Sequence, residues 1–228
     1  MNDFNYSPIF PVSIDKTEYI KISDKYIQTS ELNNKEILII NPKALTFLAQ
    51  RAFKDVSHLL RKSHLIQLKD ILEDKEASSN DKFVALTMLK NANISASGIL
   101  PMCQDTGTAI ILGYKGEKVF TDTDDCEFLS LGVYKTYKEN NLRFSQLAPV
   151  SMFEEKNTAN NLPAEISIFA NEGQEYKFAF VQKGGGSANK SFLFQATPAT
   201  LNPENLKKFL YEKIISLGTA ACPPYHLS

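Results

Sequence analysis

The chain has 228 residues and a mass of 25.5 kDa, enough for one large domain or two small ones. With 43% hydrophobic and 22% charged residues it can bury a core and is no disordered polymer. Basic and acidic residues balance at 25 against 26, giving a net charge of -1 and a pI near 6.3, without the basic excess of a general nucleic-acid binder. No apolar run approaches the roughly 20 residues of a membrane helix, and the first dozen residues lack the basic and apolar regions of a signal peptide. The expectation is a soluble cytoplasmic protein without a nucleic-acid or membrane partner.

In chain order, residues 1–41 are tyrosine-rich, and apolar alternation at Tyr19–Ile22 and Glu36–Ile40 predicts strands or extended arms. Asn41-Pro42 predicts a helix start, Asn as cap and Pro in the first turn. Leu45, Leu48, Ala49, Ala52, Phe53, Val56, Leu59 and Leu60 follow at helical spacing. A second helix is expected from His64 to Leu72, and Ser78-Ser79-Asn80 caps a third carrying Phe83, Leu86 and Leu89. After Gly98 short apolar strands are expected at Thr108–Leu112, Ile166–Ala170, Tyr176–Val181 and Ser191–Gln195, with helices over Cys126–Glu139 and Pro203–Leu217. Helices first and a mixed region second predict an α+β (mixed α/β) fold, divided into an arm and helical part over 1–97 and a second part of the same domain over 98–228.

Three cysteines, Cys103, Cys126 and Cys222, cannot form a disulfide framework, so reduced thiols serving a metal or catalysis are a live use. His58, His64 and His226 lack zinc-site spacing, and the first two read as packing or surface residues. Of the 25 basic residues only Arg51, Arg61 and Arg143 are arginines, a mild hint that a planar two-pronged donor is wanted there.

Three segments concentrate chemistry. In Pro101-Met102-Cys103-Gln104-Asp105-Thr106-Gly107-Thr108, a soft ligand, an amide and a carboxylate stand in consecutive positions between a helix and a strand. The plainer reading is a buried Cys beside an Asp-Thr-Gly turn. Lys183-Gly184-Gly185-Gly186-Ser187-Ala188-Asn189-Lys190-Ser191 has the glycines to aim several N–H groups at a carboxylate or phosphate. It fails the P-loop spacing, and the plainer reading is a flexible connection between two strands. In Gly218-Thr219-Ala220-Ala221-Cys222-Pro223-Pro224-Tyr225-His226, a Cys followed by Pro suits an iron–sulfur ligand. The chain stops just after it, which predicts a polypeptide that continues. Cys126, among carboxylates that would raise its pKa, reads as structural, and Asp122, Asp124 and Asp125 read as a solvated helix cap.

Taken together, CQDTGTA (103–109), KGGGSANKS (183–191) and GTAACPPYH (218–226) resemble, in order and spacing, the iron–sulfur class I fumarate hydratases, N-terminal domain. TEYIKIS (17–23), ASSNDKFVAL (77–86), ENNLRFSQLAP (139–149) and NLPAEI (161–166) are lesser matches. The resemblance implies a hydro-lyase interconverting fumarate and (S)-malate, in the tricarboxylic acid cycle and usually homodimeric. It implies a [4Fe-4S] cluster on three cysteines, with Cys103 and Cys222 matching two of them. The third ligand and the C-terminal domain lie beyond this sequence, and Cys126 does not match the ligand. It further implies substrate contacts from Gln104, Asp105, Arg143, Gly186, Asn189 and Lys190, with Asp105 in a proton-transfer role. The rivals are a hydro-lyase of the tartrate dehydratase α-subunit type, an inactive fragment without a cluster, and a generic anion-binding domain using only the glycine loop.

Overall fold

The structure, a computed structural model, describes residues 18–188 and 190–218. Strands β1 (Ile27–Leu32) and β2 (Lys35–Ile40) form an antiparallel hairpin. Its two turn residues, Asn33 and Asn34, both have positive φ (52° and 59°), the pattern that matches the twist of paired strands and that asparagine tolerates. β2 also pairs in parallel with the short β4 (Val119–Thr121).

Helix α1 (Pro42–His58) starts where expected, the Asn41 side chain accepting from the Lys43 N–H at 3.0 Å. α2 (Lys62–Glu73) and α3 (Ser79–Ser95) follow, the latter opened by a reciprocal Ser78–Asp81 capping box. α4 (Asp125–Glu139) is capped by Asp124. The central sheet has the order β7-β3-β8, with β3 (Thr108–Gly116) parallel to β7 (Glu165–Asn171) and antiparallel to β8 (Tyr176–Lys183). A small hairpin, β5 (Leu147–Pro149) with β6 (Glu155–Asn157), the four-residue α5 (Gly185–Ala188) and α6 (Pro203–Ser216) complete the elements. Helices packed with mixed sheets make an α+β fold.

The core lies between the crossed helices α1 and α4 and one face of the central sheet. Leu45, Ala49 and Phe53 of α1 meet Leu129, Val133 and Tyr137 of α4, and alternate β3 residues Ala109 and Ile111 close the layer below them. Gly132 permits the crossing, because a Cβ there would stand 2.6 Å from the Ala49 Cβ and from the Thr46 carbonyl oxygen. Thr46 and Thr136 tie the pair further, donating to the Phe128 and Gln50 carbonyls at 2.9 and 3.2 Å. Each large core side chain contributes about 1.5–3 kcal/mol by burial, and Phe53 adds an edge-on contact with Phe180 at 5.5 Å.

Three expectations need correction. Of the two readings for Tyr19–Ile22, a strand or an extended arm, the strand is not formed; the first ladder begins at Ile27, whose strand is exposed at every position and so lacks the alternation that marks a half-buried one. Ser191–Gln195 alternates like a strand but has no ladder partner among the described residues; Phe192 stacks on Phe194, which meets Phe209 of α6 edge-on. Asp125 is not solvated: it is 7% exposed and accepts from Lys115 Nζ at 2.7 Å and Tyr176 OH at 2.8 Å, as well as from the Thr121 hydroxyl. His58 and His64 are both buried, His58 Nδ1 lying 2.7 Å from the Lys54 carbonyl. Arg51 Nε alone donates to both carboxylate oxygens of Asp55 one turn away, at 3.1 and 2.9 Å.

Candidate active site

Three loops converge at one end of β3. The first, residues 101–107, runs from α3 into β3 and carries Cys103, Gln104 and Asp105. It is pinned from below by α4, where the buried Tyr137 hydroxyl donates to the Thr106 carbonyl at 2.6 Å and accepts from Gln182 Nε2 at 2.8 Å. Burial pushes the Tyr137 phenol up to about 12, with the Asp105 charge adding and the Gln182 bond opposing, so it stays a neutral donor. Gly107 makes the tightest approach: its φ is +54°, and a Cβ would stand 1.9 Å from the Lys183 carbonyl oxygen.

The second loop follows β8. Lys183-Gly184-Gly185-Gly186 does not turn back as a hairpin but leads directly into α5. The N–H groups of Gly185 and Gly186 do converge on a carboxylate, as a glycine nest should, and that carboxylate belongs to Asp105. Gly185 donates to Oδ1 and Gly186 to Oδ2, each at 3.0 Å. A Cβ at Gly184 would stand 2.6 Å from Asp105 Oδ2, so only glycine admits the side chain here.

The third loop, after α4, brings Arg143. Its Nη2 lies 4.0 Å from Asp105 Oδ1, with the guanidinium largely exposed. The Gly186 N–H, then Gly185 and the Arg143 charge, hold the Asp105 carboxyl below its ordinary range, against burial acting the other way. Asp105, Gly107, Arg143, Ser145, Lys183 and Gly184 line a cavity of about 150 Å³. It offers one anchored carboxylate and one guanidinium, a setting for a small anionic molecule.

The chain therefore brings together Asp105, Arg143 and Gly186 from positions scattered through the sequence. Cys103 and Gln104 are exposed on the same loop as Asp105, and Lys190 is half-buried just after α5. Asn189 and Cys222 lie outside the described residues. As a cluster ligand, Cys103 fits one corner: it is an exposed soft donor whose sulfur receives the Asp105 N–H at 3.4 Å, the kind of hydrogen bond that tunes iron–sulfur thiolates. Among the described residues no group of three or more His, Cys, Asp or Glu converges to hold a metal. Cys126 is also exposed, and burial, then Asp124 and Asp125, push its thiol up, away from ligand or nucleophile character.

Several residues of the site have no sequence signal of their own. Thr106, 1% exposed, donates to the Arg143 carbonyl at 2.6 Å, and Asn161, fully buried, reaches both the Asp105 and the Arg143 loops. Gly107 was visible only as part of a turn, and Asn161 only as the first residue of NLPAEI.

No helix among the described residues is long and apolar enough to cross a membrane. The chain is 53% identical over 225 residues to the aerobic class I fumarate hydratase of Escherichia coli (strain K12), an alignment covering 99% of this chain and 41% of that protein. It is 53% identical over 229 residues to the mitochondrial fumarate hydratase 1 of Leishmania major, covering 99% of this chain and 42% of the relative. A more distant relative is the L(+)-tartrate dehydratase subunit alpha of Escherichia coli (strain UTI89), 27% identical over 157 residues, 67% of this chain and 50% of that one. The chain thus spans about two fifths of the length of the fumarate hydratases it matches. The family model described as fumarate hydratase (Fumerase) matches residues 46–228, and with all three loops of the cavity inside that stretch the chain belongs to the fumarate hydratase family.

Proposed function

We propose that the protein carrying this chain is a hydro-lyase that adds water to fumarate to give (S)-malate and removes it again, with the cavity at Asp105 and Arg143 as part of its dicarboxylate site. The observation that carries this reading is the placement of an anchored carboxylate and an arginine fork around one small cavity, in a chain half identical to fumarate hydratases along nearly its whole length.

The reaction moves a hydroxyl to or from one carbon and a proton to or from its neighbour, with negative charge building on the carboxylate beside the carbon that exchanges the proton. Arg143 would hold a substrate carboxylate through its two-pronged donor face and offset that charge in a preorganised way. Gln104, Gly186, Asn189 and Lys190 complete the proposed substrate contacts, Gly186 acting first by holding Asp105. Asp105, ionised at neutral pH because its carboxyl is held low, is a weak base; in this proposal it takes a proton in the dehydrating direction and returns it in hydration, and the glycine N–H groups act by orienting it rather than by raising its basicity. Cys103, Cys222 and a third cysteine outside this chain would hold a [4Fe-4S] cluster, which when bound supplies a Lewis-acidic iron for the substrate's hydroxyl and carboxylate oxygens. A cytoplasmic homodimer acting in the tricarboxylic acid cycle belongs to the same proposal, as does the division of one catalytic domain at residue 98.

The test is a paired anaerobic assay of the cluster-loaded protein with fumarate and with L(+)-tartrate. Turnover of fumarate without tartrate dehydration is expected, and tartrate dehydration without fumarate turnover would replace this reading with its distant relative's.

A further inference from the structure

Asn161 occupies a place that the chemistry above does not use. It is fully buried, at 0% exposure, with a left-handed backbone (φ +58°) that asparagine accepts more readily than other side chains. Its amide makes three hydrogen bonds, all to backbone. Oδ1 accepts from the Ser145 N–H at 2.9 Å and the Gln146 N–H at 3.1 Å; Nδ2 donates to the Gly107 carbonyl at 2.9 Å. One end therefore grips the loop that follows Arg143, and the other grips the loop that follows Asp105. Two direct ties reinforce the bridge, from the Thr106 hydroxyl to the Arg143 carbonyl at 2.6 Å and from the Thr108 hydroxyl to Gln146 Oε1 at 2.9 Å.

We propose that Asn161 is a positioning residue that sets the separation between the Arg143 fork and the Asp105–glycine-loop anchor, and so sets which length of dicarboxylate the cavity accepts. This rests on the dicarboxylate reading above. Asp105 and Arg143 stand 4.0 Å apart, beyond a direct hydrogen bond, so their spacing is not fixed by their own contact. It is fixed by the loops, and Asn161 holds both from within the core through three hydrogen bonds, beside the single ties from Thr106 and Thr108. Displacements of about 1 Å at such a site reach the reaction rate, because orientation is part of the barrier.

Asn161→Asp is the discriminating variant: it keeps acceptors for Ser145 and Gln146 but replaces the donor to Gly107 with a second acceptor. Asn161→Ser, which frees space and leaves the N–H groups to water, is the companion where the buried charge prevents folding. Binding of malonate, succinate and glutarate to the cluster-loaded protein, three-, four- and five-carbon diacids, is measured by calorimetry. Ratios of dissociation constants do not depend on the fraction of molecules that fold. The parent is expected to prefer succinate, and a folded variant is expected to lose that preference by about 5-fold or more, with kcat for fumarate falling about 10–100-fold. Unchanged binding ratios in a folded variant, or a parent without length preference, would overturn the role of Asn161. Fumarate turnover by the parent is read separately: a length preference lost on substitution, in a parent that does not hydrate fumarate, would keep the positioning role and remove the hydratase reading.

Discussion

Asp105 accepts a 3.0 Å hydrogen bond from the backbone N–H of Gly186, a residue 81 positions further along the chain. The glycine loop thus holds a side chain of the protein itself, fixing the orientation and charge of the carboxylate beside Arg143. Replacing Asp105 by Asn keeps the shape but sets an amide against the nest and removes the proton acceptor. Asp105→Asn is expected to retain the cluster spectrum and lower turnover by about 100-fold or more, as for a proton-transfer group. Unchanged turnover in a stopped assay would remove Asp105 from the mechanism.

The same pair gives a pH dependence. The folded carboxyl is held below its unfolded value, so the stabilisation is present above the unfolded pKa and disappears as pH falls through the folded one. Acid unfolding of the parent, followed by circular dichroism, is expected to be steeper below about pH 4 than that of Asp105→Asn. Superimposable acid profiles would show that the nest does not hold the charge.

At the alkaline side Tyr137 is the sensor. Its folded pKa is raised to about 12, so its contribution is complete below its unfolded value near 10 and is lost as pH rises through the folded value. Tyr137→Phe is expected to lose about 1 kcal/mol at neutral pH with the bond to the Thr106 carbonyl, and to be less sensitive to alkali than the parent. Thermal denaturation at neutral pH and at about pH 11 checks both.

Arg143→Lys keeps a positive charge and loses the fork. KM for fumarate is expected to rise about 10-fold, with a smaller change in kcat, since a charge-assisted pair is worth about 1.5–3 kcal/mol. An unaltered KM in steady-state kinetics would make Arg143 a structural residue.

Gly107→Ala tests the close approach between the loops. The added methyl would overlap the Lys183 carbonyl, 1.9 Å away, at a φ that alanine adopts only with strain. A loss of at least about 2 kcal/mol is expected in denaturant unfolding. A near-neutral effect would mean that the two loops part easily and do not fix Asp105.

α1, α3 and α4 were legible because their starts are chemical: Asn41, Ser78 and Asp124 each accept from a first-turn N–H, whereas α2 has no capping side chain and was readable only from its apolar spacing. β3, β7 and β8 were legible from their apolar runs, and the motifs read together pointed to Asp105, Arg143 and the glycine loop, which the fold brings side by side. What was not legible depends on distance in the chain. Nothing local in Ile27–Leu32 marks a strand that gains its order from β2, and the Ser191–Gln195 alternation says nothing about whether a partner strand exists. The carboxylates at 122–125 look alike in sequence, yet Lys115 and Tyr176 single out Asp125 for burial. In the same way the anion-binding character of the glycines was readable, whereas its occupant, Asp105, was not.

The most direct measurement is anaerobic iron and sulfide quantification after cluster reconstitution of the full protein that carries this chain, with fumarate hydration assayed on the same sample and on its Cys103→Ser variant. Near-stoichiometric iron and sulfide with turnover, both lost in Cys103→Ser, is the expected result. A parent that binds a cluster without hydrating fumarate, or turnover that survives Cys103→Ser, would contradict the assignment of this loop to an iron–sulfur hydratase site.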